Sequence, residues 1–184
     1  YQAGCRDFFV STWAEVEGLG PLPLGASLVV LHGIGPKDPP AALESFARPC
    51  LNSLEQVARW KEIAPQRECD VMIDTGMNRL GLRPTEIDTL DGLTIDTLHS
   101  HLACADEDHP LNAMQLERFR AVASAVKARR YSLANSAGIC LGSNYSFDLV
   151  RPGLSLYGGI PRIEAEGNIR QVARVDAQIV QRRL

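Results

Sequence analysis

The chain has few of the residues that build small cross-linked or metal-stabilised domains. Among 184 residues there are only 5 cysteines and 4 histidines, and no two cysteines are close neighbours in the sequence. An odd number of separated cysteines is not typical of a disulfide framework or a structural zinc site. We therefore expect free thiols, no bound metal and a cytoplasmic location, because disulfides are rare in the reducing cytosol.

Neither charge sign dominates, and long hydrophobic runs are lacking. The chain has 19 basic and 22 acidic side chains, for a formal net charge of −3. Surfaces that bind nucleic acid or anionic membranes usually carry an excess of positive charge. No apolar run approaches the roughly 20 residues that a membrane-spanning helix needs. We therefore expect neither nucleic acid nor a membrane as a partner.

Short apolar runs alternate with segments of helical periodicity. Residues 27–31 are almost wholly apolar, as in a parallel strand that is buried on both faces. Residues 111–128 carry apolar side chains at roughly helical spacing and give the strongest predicted helix. The other predicted strands are residues 8–10, 49–52, 69–73, 95–101, 131–134 and 149–157, and the other predicted helices are residues 13–19, 37–46, 53–63 and 84–90.

This alternation predicts an α/β fold with a parallel sheet. Seven strand units in a row favour a (β/α)8 TIM-type barrel that lacks its first strand, and a doubly wound open sheet is the alternative. Residues 170–184 alternate in part and predict a half-exposed antiparallel strand. We therefore expect a barrel truncated at its N-terminus over residues 1–162. Residues 163–184 would be a linker and the first strand of a truncated C-terminal β domain.

Polar residues follow two of the central strands, where an α/β barrel places its functional groups. Arg79 lies in a glycine-containing loop and could present its planar guanidinium to an anion or a phenolate; a solvated surface arginine is the alternative. His99 and His101 would share one face of a strand. A zinc site there would need a third ligand, and none has a diagnostic spacing. A hydrogen-bonded histidine is therefore the favoured interpretation.

The last two units carry a second polar group. Ser136 follows Asn135 at a strand-to-helix junction, where a serine either caps the helix or helps to bind phosphate. Arg151 lies in an apolar run just before Gly153 and Leu154. An arginine in such a run must be paired or must contact a ligand, because an unpaired buried charge is costly. The last two strands of such barrels commonly bind phosphate.

Taken together, these segments resemble the alanine racemase family. The residues that carry the resemblance, in order and with similar spacing, are 8–15, 73–81, His101 with Ala103 and Asp106, 132–137 and 150–158. The tail from Val172 is similar to the first strand of that family's C-terminal β domain. The resemblance covers essentially the whole chain.

The resemblance implies a homodimeric, cytoplasmic isomerase that uses pyridoxal 5′-phosphate (PLP). Its substrate would be alanine, and its D-alanine product would supply peptidoglycan synthesis. By the same resemblance, Arg151 would donate to the pyridine nitrogen, and His101 would hydrogen-bond Arg151 and lead toward a catalytic tyrosine. Arg79 would contact the phenolic oxygen of the cofactor and the substrate carboxylate. Ser136 would hold the phosphate with the N–H groups of Gly153 and Leu154, supported by Asn135.

The chain also departs from the family pattern. The lysine that binds PLP would precede Tyr1, and the catalytic tyrosine would follow Leu184, so we expect this piece alone to be inactive. Met72 stands where some members carry a carbamylated lysine that orients the arginine of the next loop. Three alternatives stay open: a broad-specificity amino-acid racemase, another PLP barrel enzyme such as a decarboxylase or aldolase, and a non-catalytic PLP-binding barrel protein.

Overall fold

A computed structural model describes residues 1–183. Six parallel strands form one sheet, and their spatial order is the same as their order in the chain. The strands are β1 (Asp7–Val10), β2 (Ser27–Val30), β3 (Arg48–Leu51), β4 (Glu68–Met72), β5 (Thr94–His99) and β6 (Arg130–Ser132). This confirms the predicted α/β class and parallel sheet. The strand order does not reverse as it does in a doubly wound sheet, so that alternative is wrong.

Helical segments connect the strands. They are α1 (Trp13–Leu19), α2 (Pro39–Glu44), α3 (Leu54–Ile63), α4 (Pro110–Ala125), α5 (Ser136–Cys140) and α6 (Gly153–Leu156), with 3₁₀ segments at Pro84–Leu90, Ser143–Tyr145 and Ile163–Ala165. The N-terminus of α1 is fixed by Glu15, which accepts a hydrogen bond from the Thr12 N–H at 2.8 Å. Ser53 caps α3 by accepting from the Gln56 N–H. No helix in the described part is long and apolar enough to span a membrane.

The two faces of the sheet have different chemistry. One face packs with the helices into a large apolar core that includes the fully buried Trp60 and Phe119. The other face carries a small apolar layer of Val29, Cys50 and Met72, against which Phe9 packs. Side chains two residues apart lie on the same face of a strand. The residues two positions before this apolar layer, such as Asp7, Arg48 and Asp70, therefore form a polar layer on the same face.

An arginine joins the two edge strands. Arg130 of β6 donates to both carboxylate oxygens of Asp7 in β1, at 2.9 and 2.6 Å. Because β1 and β6 are the opposite ends of the sheet, this contact requires that the sheet curl until its edges approach. The result is a curled, partial barrel whose concave face holds the polar layer. We call the Asp7–Arg130 contact the edge bridge.

One predicted strand is wrong, and a second is not formed among the described residues. Residues 149–157 form only one bridge, between Asn135 and Arg151, before α6 begins at Gly153. Pro152 has no N–H to extend the ladder, which explains why pairing stops there. Residues 170–183 form no strand within the described part, and most of them are exposed. A strand needs a neighbour to pair its backbone, and residues 1–183 supply none. Leu184 lies outside the described residues.

We expect the edge bridge to stabilise the curl. The side chains of Asp7 and Arg130 are only 15% and 18% exposed. An Asp7→Asn variant should therefore lose about 2 kcal/mol of unfolding free energy in urea titrations, the size of a hydrogen bond between charged groups, since Arg130 is left with Asp96 as its remaining carboxylate partner. The control is Glu117→Gln, which breaks an exposed pair with Arg120 and should cost under about 1 kcal/mol. Equal stability of the two variants would contradict this expectation.

Candidate functional site

Two adjoining cavities lie where the strands end. The larger has a volume of about 560 Å³ and a largely apolar lining, to which Arg79, His101, Arg151 and Gly153 contribute. The smaller has a volume of about 300 Å³, and its lining includes His101, Arg151 and Gly153 as well. The smaller cavity adds three further predicted residues, Asn135, Ser136 and Leu154. The structure thus brings all seven predicted site residues to one place.

Arg151 lies at the centre of the site. Its Nη1 donates to His99 Nδ1 at 3.2 Å and to Ser132 Oγ, and its Nη2 donates to the backbone oxygen of Ser100. No carboxylate lies within salt-bridge distance of Arg151 among residues 1–183. Burial lowers the pKa of Arg151 to about 10, so the guanidinium stays charged at neutral pH.

His99, and not His101, is the histidine that contacts Arg151. The second ring nitrogen of His99, Nε2, lies 2.9 Å from Asp70 Oδ2. The prediction that His101 would bond Arg151 is therefore wrong. Residue pairing between β4 and β5 shifts by one position after Cys69, which brings His99 to the concave face beside Asp70. With both ring nitrogens engaged, His99 also has no free ligand atom for the zinc site considered above.

Sequence reasoning missed Asp70, although one signal was present. Asp70 lies inside an otherwise apolar predicted strand, and its side chain is only 1% exposed. A buried carboxylate needs partners. It has two, since Arg48 Nε donates to its other oxygen at 3.0 Å. The same rule that singled out Arg151 could have singled out Asp70.

His101 lies just beyond the end of β5. Its Nε2 is 3.4 Å from the side-chain nitrogen, Nδ2, of Asn135. Burial, together with the positive charges of Arg151 and Arg79, lowers the pKa of His101 to about 4. His101 is therefore a neutral imidazole at neutral pH, able to donate one hydrogen bond and accept another.

Short helices α5 and α6 meet beside the smaller cavity. Asn135 caps α5 by accepting from the Gly138 N–H at 2.8 Å, and Ser136 Oγ accepts from the Ser155 N–H at 3.1 Å. The Ser136 hydroxyl keeps its own proton to donate. Leu154 lies in the first turn of α6, where backbone N–H groups have no partner within the helix. The Gly153 N–H, by contrast, already donates to the backbone oxygen of Arg151 at 2.9 Å.

A folded loop carries Arg79. Asp74 Oδ1 accepts from three consecutive backbone N–H groups, those of residues 76–78, at 2.9 to 3.1 Å. Gly81 closes the loop with φ 124°, and a Cβ there would lie 2.6 Å from the Asp74 nitrogen. Arg79 itself is exposed, and no hydrogen bond within residues 1–183 fixes its guanidinium. Met72 lines the same cavity and offers no polar partner. The loop backbone is thus what brings Arg79 to the site.

Comparison with known proteins agrees with this geometry. Residues 1–161 match the family described as "Alanine racemase, N-terminal domain". A catabolic alanine racemase of Agrobacterium fabrum is 40% identical over all of this chain and 50% of its own length. An alanine racemase of Rhodospirillum rubrum is 42% identical, over 97% of this chain and 51% of its own length.

The fold is also similar to that of an alanine racemase of known structure. The crystal structure of an alanine racemase from Bartonella henselae, with covalently bound pyridoxal phosphate, is 34% identical and has a TM-score of 0.84. The match covers 94% of this chain and 52% of that one. The chain therefore spans about half the length of the relatives it matches. From the family match and the shared fold, we conclude that this chain belongs to the alanine racemase family.

Proposed function

We propose that this chain is the cofactor-binding half of a PLP-dependent enzyme that interconverts L- and D-alanine. The observation that carries the proposal is Arg151, a charged arginine that borders both cavities and has no carboxylate partner within residues 1–183. An arginine placed in this way is suited to bind an acceptor atom of a ligand. The largely apolar lining of the larger cavity suits a substrate with a small apolar side chain.

The donors at the site fit PLP. Three of the five N–H groups of Arg151 are used within the protein, on His99, Ser132 and Ser100, which leaves two without a partner among the described residues. The Ser136 hydroxyl and the Leu154 N–H offer donors for a phosphate. We place Gly153 in the same phosphate site. When phosphate binds, the Gly153 N–H would give up its hydrogen bond to the Arg151 carbonyl and donate to a phosphate oxygen instead. PLP, when bound, withdraws electrons from the substrate and makes its α-proton acidic.

The chain's own residues would then have distinct tasks. Arg151 would donate to the pyridine nitrogen, and because a guanidinium keeps its protons it would leave that nitrogen unprotonated. This moderates electron withdrawal and favours return of a proton to the α-carbon. Arg79 would hold the phenolic oxygen of the cofactor and the substrate carboxylate. His101, neutral and beside Asn135, would pass a hydrogen bond toward the proton-transferring tyrosine.

The remaining parts of the proposal concern the whole protein. The PLP-binding lysine and the catalytic tyrosine would lie in the parts of the relatives' length that this chain does not span. The division into a barrel over residues 1–162 and the start of a β domain over residues 163–184 belongs to the same proposal. So do a homodimer, a cytoplasmic location and the supply of D-alanine for peptidoglycan.

Replacing Arg151 tests the central role. In the full-length protein, Arg151→Glu should retain PLP, because the phosphate contacts do not involve this side chain. Racemisation should fall by roughly 100-fold, or about 2.7 kcal/mol of barrier. Transamination should rise, since a carboxylate favours a protonated pyridine nitrogen. Rates of both reactions and the thermal unfolding midpoint should be measured together. A variant that melts much earlier yet racemises normally per folded molecule would show that Arg151 is only structural.

Gly153 tests the phosphate site. A Cβ built on Gly153 meets no protein atom within 4 Å, so Gly153→Ala should leave the folded packing unchanged. Beside a bound phosphate the added methyl should weaken PLP binding by roughly tenfold, or about 1.4 kcal/mol. Spectroscopic titration of the PLP-free, full-length protein measures this. The matched control is Gly18→Ala, where a Cβ also meets no atom within 4 Å and which lies outside both cavities. Unchanged affinity in the Gly153 variant would place the phosphate elsewhere.

A further inference from the structure

We propose that Asp70 and His99 are a positioning pair that aims the free N–H groups of Arg151 at the pyridine nitrogen of the cofactor. The inference rests on the proposed function, because it assigns a purpose to the orientation of Arg151. Neither residue lines either of the two cavities. Both would act through Arg151 and not by touching the cofactor.

The geometry fixes the protonation of His99. Arginine can only donate hydrogen bonds, so His99 Nδ1, at 3.2 Å from Arg151 Nη1, must be the acceptor. The single proton of a neutral imidazole then lies on Nε2 and is donated to Asp70 at 2.9 Å. Burial also lowers the pKa of His99, which keeps the ring neutral. A doubly protonated ring would turn a donor toward Arg151 and displace the guanidinium.

Asp70 is itself held in place from the opposite side. Arg48 donates from Nε to Asp70 at 3.0 Å and from Nη2 to Asp96 at 2.9 Å. Asp96 in turn accepts from Arg130, the arginine of the edge bridge, at 2.9 Å. The Asp70 carboxylate therefore cannot rotate away from His99 without losing a charged hydrogen bond to Arg48.

The burial of the pair argues for a role beyond stability. The side chains of Asp70 and His99 are 1% and 0% exposed. Well-packed apolar residues in place of buried charged groups are often neutral or stabilising for a fold. Apolar side chains at these positions would, however, leave Arg151 Nη1 without its nitrogen acceptor. We therefore infer that Asp70 and His99 serve to orient the Arg151 guanidinium.

The test compares PLP with an analogue in which a C–H group replaces the pyridine nitrogen. The ratio of their dissociation constants, measured by spectroscopic titration of the PLP-free, full-length protein, reports the Arg151–nitrogen contact and cancels the phosphate contacts. We expect wild type to prefer PLP by roughly tenfold, the size of one hydrogen bond to a charged group. In His99→Phe, which keeps an aromatic ring but has no acceptor, the ratio should fall toward one.

Two further variants separate positioning from folding. His99→Gln can accept from Arg151 and donate to Asp70, so it should restore most of the ratio. Trp13→Phe removes a buried hydrogen bond to the Gly33 carbonyl without touching Arg151, so it should lower stability and leave the ratio unchanged. If His99→Phe does not fold, nitrogen NMR of wild type decides. A proton on His99 Nε2 alone supports the proposal, and one on Nδ1 overturns it.

The outcomes distinguish the two proposals. A wild-type ratio near one would mean that Arg151 does not contact the ring nitrogen, and the proposed function of Arg151 would fail. A wild-type preference for PLP that persists in folded His99→Phe would leave that function intact and overturn the positioning pair.

Discussion

The edge bridge between Asp7 and Arg130 is the contact on which the concave face depends. It joins the first and last strands, and it extends inward as a continuous series of charged hydrogen bonds. In order, the series runs Asp7, Arg130, Asp96, Arg48, Asp70, His99 and Arg151. Three carboxylates alternate with three guanidinium groups, and the neutral imidazole of His99 lies between the last carboxylate and the last guanidinium. The charges of these seven groups therefore sum to zero. This balance makes it possible to keep several ions in a poorly solvated layer.

The series connects the fold to the site because it passes from strand to strand across the sheet and also from the amino ends of the strands toward their carboxyl ends. Its first members, such as Asp7 and Arg48, lie near the amino ends of their strands. Its last member, Arg151, lies at the cavities beyond the carboxyl ends. The same contacts that hold the sheet curled thus orient the arginine that faces the cofactor site. Helices α5 and α6 complete the site from the outside, through the bond between Ser136 and the Ser155 N–H.

The sequence alone predicted most of the sheet and the location of the site. Apolar runs such as residues 27–31 read as parallel strands because burial on both faces leaves a continuous hydrophobic pattern. Arg151 stood out because an arginine within an apolar run needs a partner or a ligand. The roles assigned to it and to Ser136 rest on the family resemblance and remain predictions.

Other features could not be predicted from local pattern. The one-residue shift in β5 brings His99 to the concave face, and it arises from pairing with β4. His101 lies beyond the end of β5, and the sequence does not show where the strand ends. Pro152 interrupts residues 149–157, but the turn into α6 depends on contacts with α5. Apolar and polar residues alternate in part over residues 170–183, as in a strand with one buried face. Such alternation shows that the two faces of the segment differ in polarity, but it does not supply a neighbouring strand for pairing.

A crystal structure of the full-length protein with PLP bound tests the central claim most directly. We predict the pyridine nitrogen within hydrogen-bond distance of Arg151, with His99 between Arg151 and Asp70 and the edge bridge intact. A cofactor bound in another cavity would contradict this account. So would an Arg151 guanidinium that is turned away from the pyridine ring and paired with a carboxylate.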